Sequence, residues 1–341
     1  METPILSVVI PAHNVAADLP GCVDSLLTQK GLSFEVILVD DSSDDETGAI
    51  CDAYAARDPR VRTLHCGFRD VSLTRNAGLE LARGEYVGFC DGDDASVPEF
   101  MPRLAEVLRS CRPDLVRFGY RECAPEGGRD FVLPDPEGLC SEEMLKRWRL
   151  DGICPAQVLD YSVPRLLTVY SHVFRREFLE EHAIRFRSQH EILSEDYLFI
   201  LQALYQAECV YHLPAALYHY MVHPGSLSRH PKPRMMERKR LLMEQYLRFL
   251  PTGQPEVQLR LRNFYIDSVY DCFVNACTQS VSRAEALERI RPLLEDPELH
   301  RCIRENRERI ASSKAKGICF LMEHRMAGAM YLLYRLLAGQ K

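Results

Sequence analysis

The sequence predicts an α/β protein built on a mostly parallel, doubly wound sheet and extended by a helical C-terminal region. Three observations carry this. From residue 5 to 118, apolar runs rich in Val, Ile and Leu alternate with amphipathic segments of helical length. That is the pattern of parallel strands covered on both faces. Three of those runs end in polar residues: His13 and Asn14, Asp40 and Asp41, then Asp91 to Asp94. Such a sheet holds ligands beyond the carboxyl ends of its strands, and all three polar groups fall at that edge. From residue 233 onward nearly every stretch has helical periodicity.

The elements follow in order. "ILSVVIPAH" reads as a buried strand, and "DLPGCVDSLLTQKG" as a helix with Asp18 at its N-cap and Gly31 just past its end. "FEVILVDD" is a second strand. "DDETGAICDAYAARDP" is a helix with an acidic first turn, stopped by Pro59. "VRTLHC" gives a short third strand, and "SLTRNAGLELARG" a helix closed by Gly84. "YVGFCD" leads into the helix "PEFMPRLAEVLRSC" and a further strand, "DLVRFGYRE". Residues 124–140 are rich in Gly, Pro and charge and read as a connection. Between 141 and 230 the pattern is mixed, with helical pieces at 141–150, 175–182 and 196–207. The terminal helices are expected to break near Pro251 and Pro255, Pro292, Pro297 and Gly317.

The bulk properties exclude several classes. At 341 residues the chain is long enough to bury a sizeable core, and 46% hydrophobic with 27% charged residues is ordinary for a globular protein. A net charge of −7 argues against a nucleic-acid partner held through its phosphates. Thirteen cysteines without C-x-x-C or Cys/His zinc spacing point to a reducing compartment rather than a disulfide framework. With no basic, apolar leader and no run of membrane-spanning length, the expected location is cytoplasmic.

The stretch "GEYVGFCDGDDASVPEF" ends a buried strand on Asp91, Asp93 and Asp94. Carboxylates this close repel unless a cation or water lies among them. Asp-x-Asp at a strand end suits Mg²⁺ or Mn²⁺, which takes one or two carboxylates and completes its shell with phosphate oxygens and water. A solvated turn or helix cap uses the same residues.

The neighbouring segments narrow this. "VVIPAHN", "VILVDDSSDDET", "LTRNAGLELARGEYVGFCDGDD" and "SEDYLF" occur in that order, and with them the chain resembles the family 2 glycosyltransferases. These are inverting enzymes of the Rossmann-like GT-A fold, and the likeness is greatest to the bacterial members that build surface polysaccharides. It is carried by residues 5–120 and 165–230 and stops there. The resemblance implies a nucleotide-sugar-binding half at 1–120, an acceptor and catalytic half at 121–232, and a helical region at 233–341. It implies that Pro11, His13 and Asn14 line a uracil pocket, with Asp41 or Asp40 accepting the uracil N–H. Arg75 and Asn76 would lie near the nucleotide, Arg75 having an ion pair at the sheet edge as its other reading. Asp93 would bind Mn²⁺ or Mg²⁺ directly, with Asp91 turned toward the ribose.

Glu195 and Asp196 open an apolar helix, where acidic residues favour the macrodipole in any case. The resemblance implies more: Asp196 matches the family's general base. An acceptor hydroxyl is a poor nucleophile until a carboxylate takes its proton, and single-displacement transfer needs one such base. The segment "LYHYMVHPGSLSRH" resembles the family's loop over the diphosphate, including Ser226. It departs at Met221, where an arginine is common. His219, His223, Arg229 or Lys232 would have to supply the cation, and His223 is also a candidate metal ligand. Ser171 and His172 are a second departure, where Asn or Lys is frequent near the acceptor region. Trp148 is read either as a sugar-stacking platform or as a buried interface residue.

Residues 314–341 combine an apolar stripe with Lys314, Lys316, Arg325, Arg335 and Lys341. They read as a basic amphipathic helix at the inner membrane face, or as one packed on its own domain or on a second subunit of a homodimer. The leading expectation is metal-dependent transfer from a UDP-sugar to a glycan or lipid-linked saccharide. Two alternatives are weighed beside it. Sugar-phosphate nucleotidyl transfer wants a Gly-rich basic first loop, whereas "IPAHNVAADLPG" has only Gly21 and no Lys or Arg. A non-catalytic nucleotide-sugar-binding protein would not need Asp196.

Overall fold

Val, Ile and Leu in consecutive positions make strands that must be covered on both sides, and the first three strands are built that way. The computed structural model describes residues 3–160, 167–223, 232–280, 282–310 and 312–338. Its strands are β1 (Leu6–Ala12), β2 (Phe34–Asp41), β3 (Val61–Cys66), β4 (Tyr86–Phe89), β5 (Ala95–Ser96), β6 (Leu115–Ala124), β7 (Gly127–Phe131), β8 (Gly138–Leu139), β9 (His172–Arg175) and β10 (Val210–Met221). They form one sheet in the order β3-β2-β1-β4-β9-β6-β10-β5, with β7 on β6 and β8 on β10.

The half formed by β3, β2, β1 and β4 is parallel, with Leu6 opposite both Phe34 and Tyr86 and Val36 opposite Val61. That register brings the ends of β1, β2 and β4 to one edge. The other half is mixed: β9 runs antiparallel to both β4 and β6, while β6 and β10 are parallel. The expected strand after residue 112 therefore exists as β6, but it is separated from β4 by a strand from much later in the chain. β9 has four residues, too short to show a period of its own.

Helices α1 (Leu19–Leu27), α2 (Thr47–Arg57), α3 (Val71–Leu81), α4 (Phe100–Ser110), α5 (Glu142–Ile153), α6 (Arg176–Glu181) and α7 (Glu195–Gln206) follow as their periodicity requires. The even positions Val8, Ile10, Val36 and Leu38 pack with Leu19, Val23, Leu26, Cys51 and Leu104 of α1, α2 and α4. The odd positions meet α3. A Cβ on Gly78 would lie 2.3 Å from a Val9 methyl and 3.2 Å from one of Val39, so only a glycine lets α3 approach this closely.

The chain divides into two compact units, one of residues 1–146 and 164–225, the other of residues 147–163 and 226–341. The second contains α8 (Met235–Phe249), α9 (Pro255–Gln279), α10 (Arg283–Leu294), α11 (Pro297–Asn306), α12 (Ser313–Glu323) and α13 (Ala327–Ala338). The 25-residue α9 is its axis. Buried polar side chains on α9 hold the 151–159 segment: Arg260 donates to the Cys154 carbonyl at 2.9 Å, and Asn263 donates to those of Pro155 and Ala156. The Leu159 N–H donates to Asp267 at 2.9 Å.

Two expectations for this region are corrected. Gly317 lies inside α12 rather than at a break, and residues 314–341 are not one helix. α12 and α13 are separate, with Arg325 between them in the left-handed conformation at φ 54°. No helix among the described residues is long and apolar enough to cross a membrane.

Candidate active site

The parallel register brings the first site residues to one edge, where the loops beyond the strands bond to one another. Pro11 is buried in β1 opposite Val39. Beyond β1, His13 Nδ1 lies 2.7 Å from the Asp41 carbonyl oxygen. Asn14 takes the left-handed conformation (φ 53°), a geometry asparagine tolerates, and its Oδ1 accepts from the Asp44 N–H at 2.7 Å. The Asn14 N–H donates to Ser43 Oγ, and the Ala16 N–H donates to Asp45. The loops after β1 and β2 are thus laced together. Asp45 also accepts from the Thr47 N–H, so the acids expected in the first turn of α2 stand ahead of it and tie down its entry.

Asp40 and Asp41 face opposite ways, as successive strand residues must. Asp40 pairs with His65 at 2.9 Å, and its other carboxylate oxygen is buried without a hydrogen bond. Asp41 accepts from the Arg69 and Asp70 N–H groups and from Thr74 Oγ1. Burial pushes its acid up, but these donors outweigh it and hold the carboxyl below its usual range. A carboxylate has about four lone-pair sites, so three donors leave roughly one for anything else. Asp41 is first a clamp on the 68–74 loop.

At the end of β4 the carboxylates find a cation. The buried guanidinium of Arg75, from the middle of α3, lies 2.8 Å from Asp91 and 2.8 Å from Asp196, with Glu195 at 3.7 Å. The guanidinium thereby reaches a carboxylate 121 positions away in the chain. Phe186 lies 5.5 Å from this guanidinium and stacks on Phe199 at 3.9 Å, giving it an apolar floor. Burial and the neighbouring Glu195 and Asp91 push Asp196 up, Arg75 pulls it down, and the balance leaves it raised to about 7. Its side chain keeps 20% exposure, and Oδ2 has only a 3.4 Å contact from the Val169 N–H.

The three acids beyond β4 divide. Asp91 pairs with Arg75, and its N–H donates to the Tyr218 hydroxyl. Asp94 is almost inaccessible and accepts from Tyr218 Oη and the Met221 N–H. Burial first, and Asp91 second, raise it to about 8, so it acts as a structural group that holds the end of β10. Burial and Asp91 raise Asp93, partly offset by His223, and among the described residues no basic side chain forms an ion pair with its carboxylate. That surplus of carboxylate fits a hard divalent cation. Among the described residues no cluster of three His, Cys, Asp or Glu side chains is preformed for a metal. The protein would therefore supply part of the shell and the diphosphate the rest. His223 stands beside Asp93, its Nε2 at 3.4 Å from the Asp93 carbonyl oxygen.

Other expectations are placed differently. Both ends of the Asn76 amide bond the backbone of Phe186, so Asn76 fixes the floor beneath Arg75 rather than presenting a free group to a nucleotide. Trp148 is 4% exposed and offers no stacking face. Ser171 and His172 are fully buried and bonded to Thr168, which removes them from direct contact with an acceptor; burial takes the His172 imidazole down to about 3. His219 alternates away from Tyr218 and Tyr220. Lys232 exchanges backbone bonds with Asn275 of α9. Ser226 and Arg229 lie outside the described residues. The sequence reading also missed Asp70, which caps α3 through the Ser72 and Leu73 N–H groups and accepts from Ser188 Oγ. An Asp directly before a helical pattern was the available signal.

Comparison with known proteins gives this arrangement a context. Residues 7–181 match the family described as Glycosyl transferase family 2. EpsJ, an uncharacterized glycosyltransferase of Bacillus subtilis, is 34% identical over 247 residues, covering 71% of this chain and 68% of its own. The succinoglycan biosynthesis protein ExoO of Rhizobium meliloti is 29% identical, over 67% of this chain and 64% of its own. Among solved structures, S. aureus TarS 1-349 in complex with UDP-GlcNAc superposes with a TM-score of 0.71 at 19% identity, over 98% of this chain and 92% of that one. The last likeness is one of fold.

Proposed function

Because the chain belongs to glycosyl transferase family 2, we propose that it moves a sugar, with inversion, from a UDP-sugar to a hydroxyl of a glycan or lipid-linked saccharide in bacterial polysaccharide synthesis. The observation that carries this is Arg75, whose one guanidinium joins Asp91 on the donor side to Asp196 on the base side. Family membership makes the chain a glycosyltransferase and sets aside nucleotidyl transfer and a purely binding role.

In this reading the loops at Pro11, His13 and Asn14 receive the uracil, and the remaining lone pair of Asp41 accepts its imide N–H. Asp91 meets the ribose. Mn²⁺ or Mg²⁺ held by Asp93, with Asp91 and His223 beside it, would neutralise the diphosphate and make UDP a better leaving group. Ser226 is proposed for the diphosphate. Asp196 Oδ1 stays on Arg75, which fixes the side chain, while Oδ2 takes the proton of the acceptor hydroxyl. As that proton leaves, the acceptor oxygen bonds to the anomeric carbon from one face and the bond to the β-phosphate oxygen breaks on the other. A carboxyl poised near neutrality suits this task better than an ordinary aspartate.

We place the reaction in the cytoplasm, where thirteen free cysteines are stable, with peripheral contact at the inner face of the membrane through 314–341, or a homodimer contact using the same face. The test is calorimetry of UDP with and without Mn²⁺. UDP affinity should fall on chelation and in Asp93→Ala, and UDP should bind more tightly than ADP or GDP. Equal affinity across metal and chelator, or a preference for a purine nucleotide, rejects the donor assignment.

A further inference from the structure

One face of the β6–β7–β10 ribbon gathers several aromatic rings near the ends of β6 and β10. Tyr218 lies opposite Tyr120 between β10 and β6, and Phe131 lies opposite Tyr120 between β7 and β6. Tyr220, two residues after Tyr218, points to the same side. Tyr170 joins them from the turn before β9. The rings form a continuous run: Tyr218 on Tyr170 at 4.3 Å, Tyr170 against Tyr120 at 5.3 Å, and Tyr120 stacked on Phe131 at 4.9 Å. Tyr220 lies 5.9 Å from Tyr170, nearly parallel to it.

The run begins at the proposed chemistry. The Tyr218 hydroxyl accepts from the Asp91 N–H and donates to Asp94. Val169, next to Tyr170, sends its N–H toward Asp196. Accessibility increases along the run. Tyr218 and Tyr170 are 3% and 8% exposed, whereas Tyr120, Tyr220 and Phe131 are half-buried. Tyr120 and Tyr220 pack against the edge of the hydrophobic core and, with Phe131, stay partly exposed. At the rim, Glu122 and Arg129 lie opposite each other on β6 and β7 and carry no ion pair among the described residues; Arg129 sits 4.9 Å from the Phe131 ring.

We propose that Tyr120, Phe131 and Tyr220 form the acceptor-saccharide subsite of this chain. A pyranose ring has one apolar C–H face and an equator of hydroxyls. Flat aromatic surface matches the face, while the carboxylate of Glu122 and the guanidinium of Arg129 match the equator. Tyr170 packs against Tyr120 and Tyr220 and adjoins Val169, whose N–H reaches Asp196, so a saccharide lying along the run extends toward the base. The subsite rests on the transfer reaction proposed above, and it takes over the stacking role that buried Trp148 cannot fill.

The test is saturation-transfer NMR on the full chain with cellobiose and N,N′-diacetylchitobiose, whose rings expose flat C–H faces. Sorbitol, a polyol without a ring, is the control. Ring protons of the disaccharides should receive saturation and sorbitol should not. Phe131→Ala and Tyr220→Ala should each weaken disaccharide binding by about 10-fold, the scale of one lost ring contact. Phe131→Tyr and Tyr220→Phe should restore it, which separates ring stacking from damage to the fold. UDP affinity, measured on the same samples, should be unchanged throughout. Absent saturation on the unmodified chain, equal transfer to sorbitol, or undiminished binding in the alanine variants overturns the subsite. If UDP fails to bind while the saccharides do, the donor reading falls and the subsite stands.

Discussion

A buried arginine touching three carboxylates cannot be exchanged piecemeal, because each partner depends on the same charge. Arg75→Met should leave Asp91, Glu195 and Asp196 without their cation and destabilise the fold by about 3 kcal/mol in a denaturant titration. Arg75→Lys keeps the charge but has one point of contact, so it should rescue part of the stability and little of the activity. Asp196→Asn should leave UDP affinity nearly unchanged while turnover falls by roughly the 10²–10⁴ of general-base catalysis. Full transferase activity in that variant would remove Asp196 from the role and pass the question to Glu195. The raised acid sets the sign of the pH dependence: Asp196 is protonated below about 7 and ionised above it, so turnover should climb through that range and then level. A flat profile from pH 5.5 to 8.5 would contradict this. The sequence contained the acids and the Arg-Asn pair, but not their meeting, because 121 residues of chain separate Arg75 from Asp196. Tyr218 was hidden in the same way, since a tyrosine in a strand shows its polar partner only when the facing loop is in place.

Elements were legible wherever their own pattern decided them. β1, β2 and β3 and the helices between them have enough residues to show a period, and the strand edge where the site lies follows from that alternation. β9 did not show, and its position between β4 and β6 depends on partners rather than on its four residues. Gly317 misled because a glycine weakens a helix by only about 1 kcal/mol, which packing of Ile318, Cys319 and Met322 overrides. Gly78 shows the opposite case. Alanine there would gain about 1 kcal/mol of helix propensity. Its Cβ, however, would stand 2.3 Å from a methyl of buried Val9, and overpacking of this kind costs about 1–3 kcal/mol. Gly78→Ala should therefore be less stable than the parent chain in urea. A more stable variant would mean that α3 can lift from the sheet without loss.

At the scale of the whole molecule, the C-terminal helices offer a test of membrane contact. Phe320 and Leu332 are each 54% exposed, on α12 and α13, close in sequence to Lys314, Lys316 and Arg325. The protein should co-sediment with anionic vesicles, more weakly at high salt, and Phe320→Glu with Leu332→Glu should abolish this. Binding that survives the double substitution would place the contact elsewhere. The second unit also depends on a segment that precedes it. A chain ended at Gly225 would leave the carbonyls of Cys154, Pro155 and Ala156 without Arg260 and Asn263, and it should be cleaved rapidly between 147 and 163 under limited proteolysis. The same dependence has a consequence for synthesis. A ribosome makes residues 147–163 about a hundred residues before Asp267, which at roughly 5–20 residues per second is a wait of several seconds to about twenty. During that interval Val158 and its neighbours leave the exit tunnel with nothing to fold upon. The nascent chain is then a client for holding chaperones, and slowing translation across 164–266 should raise misfolding instead of relieving it.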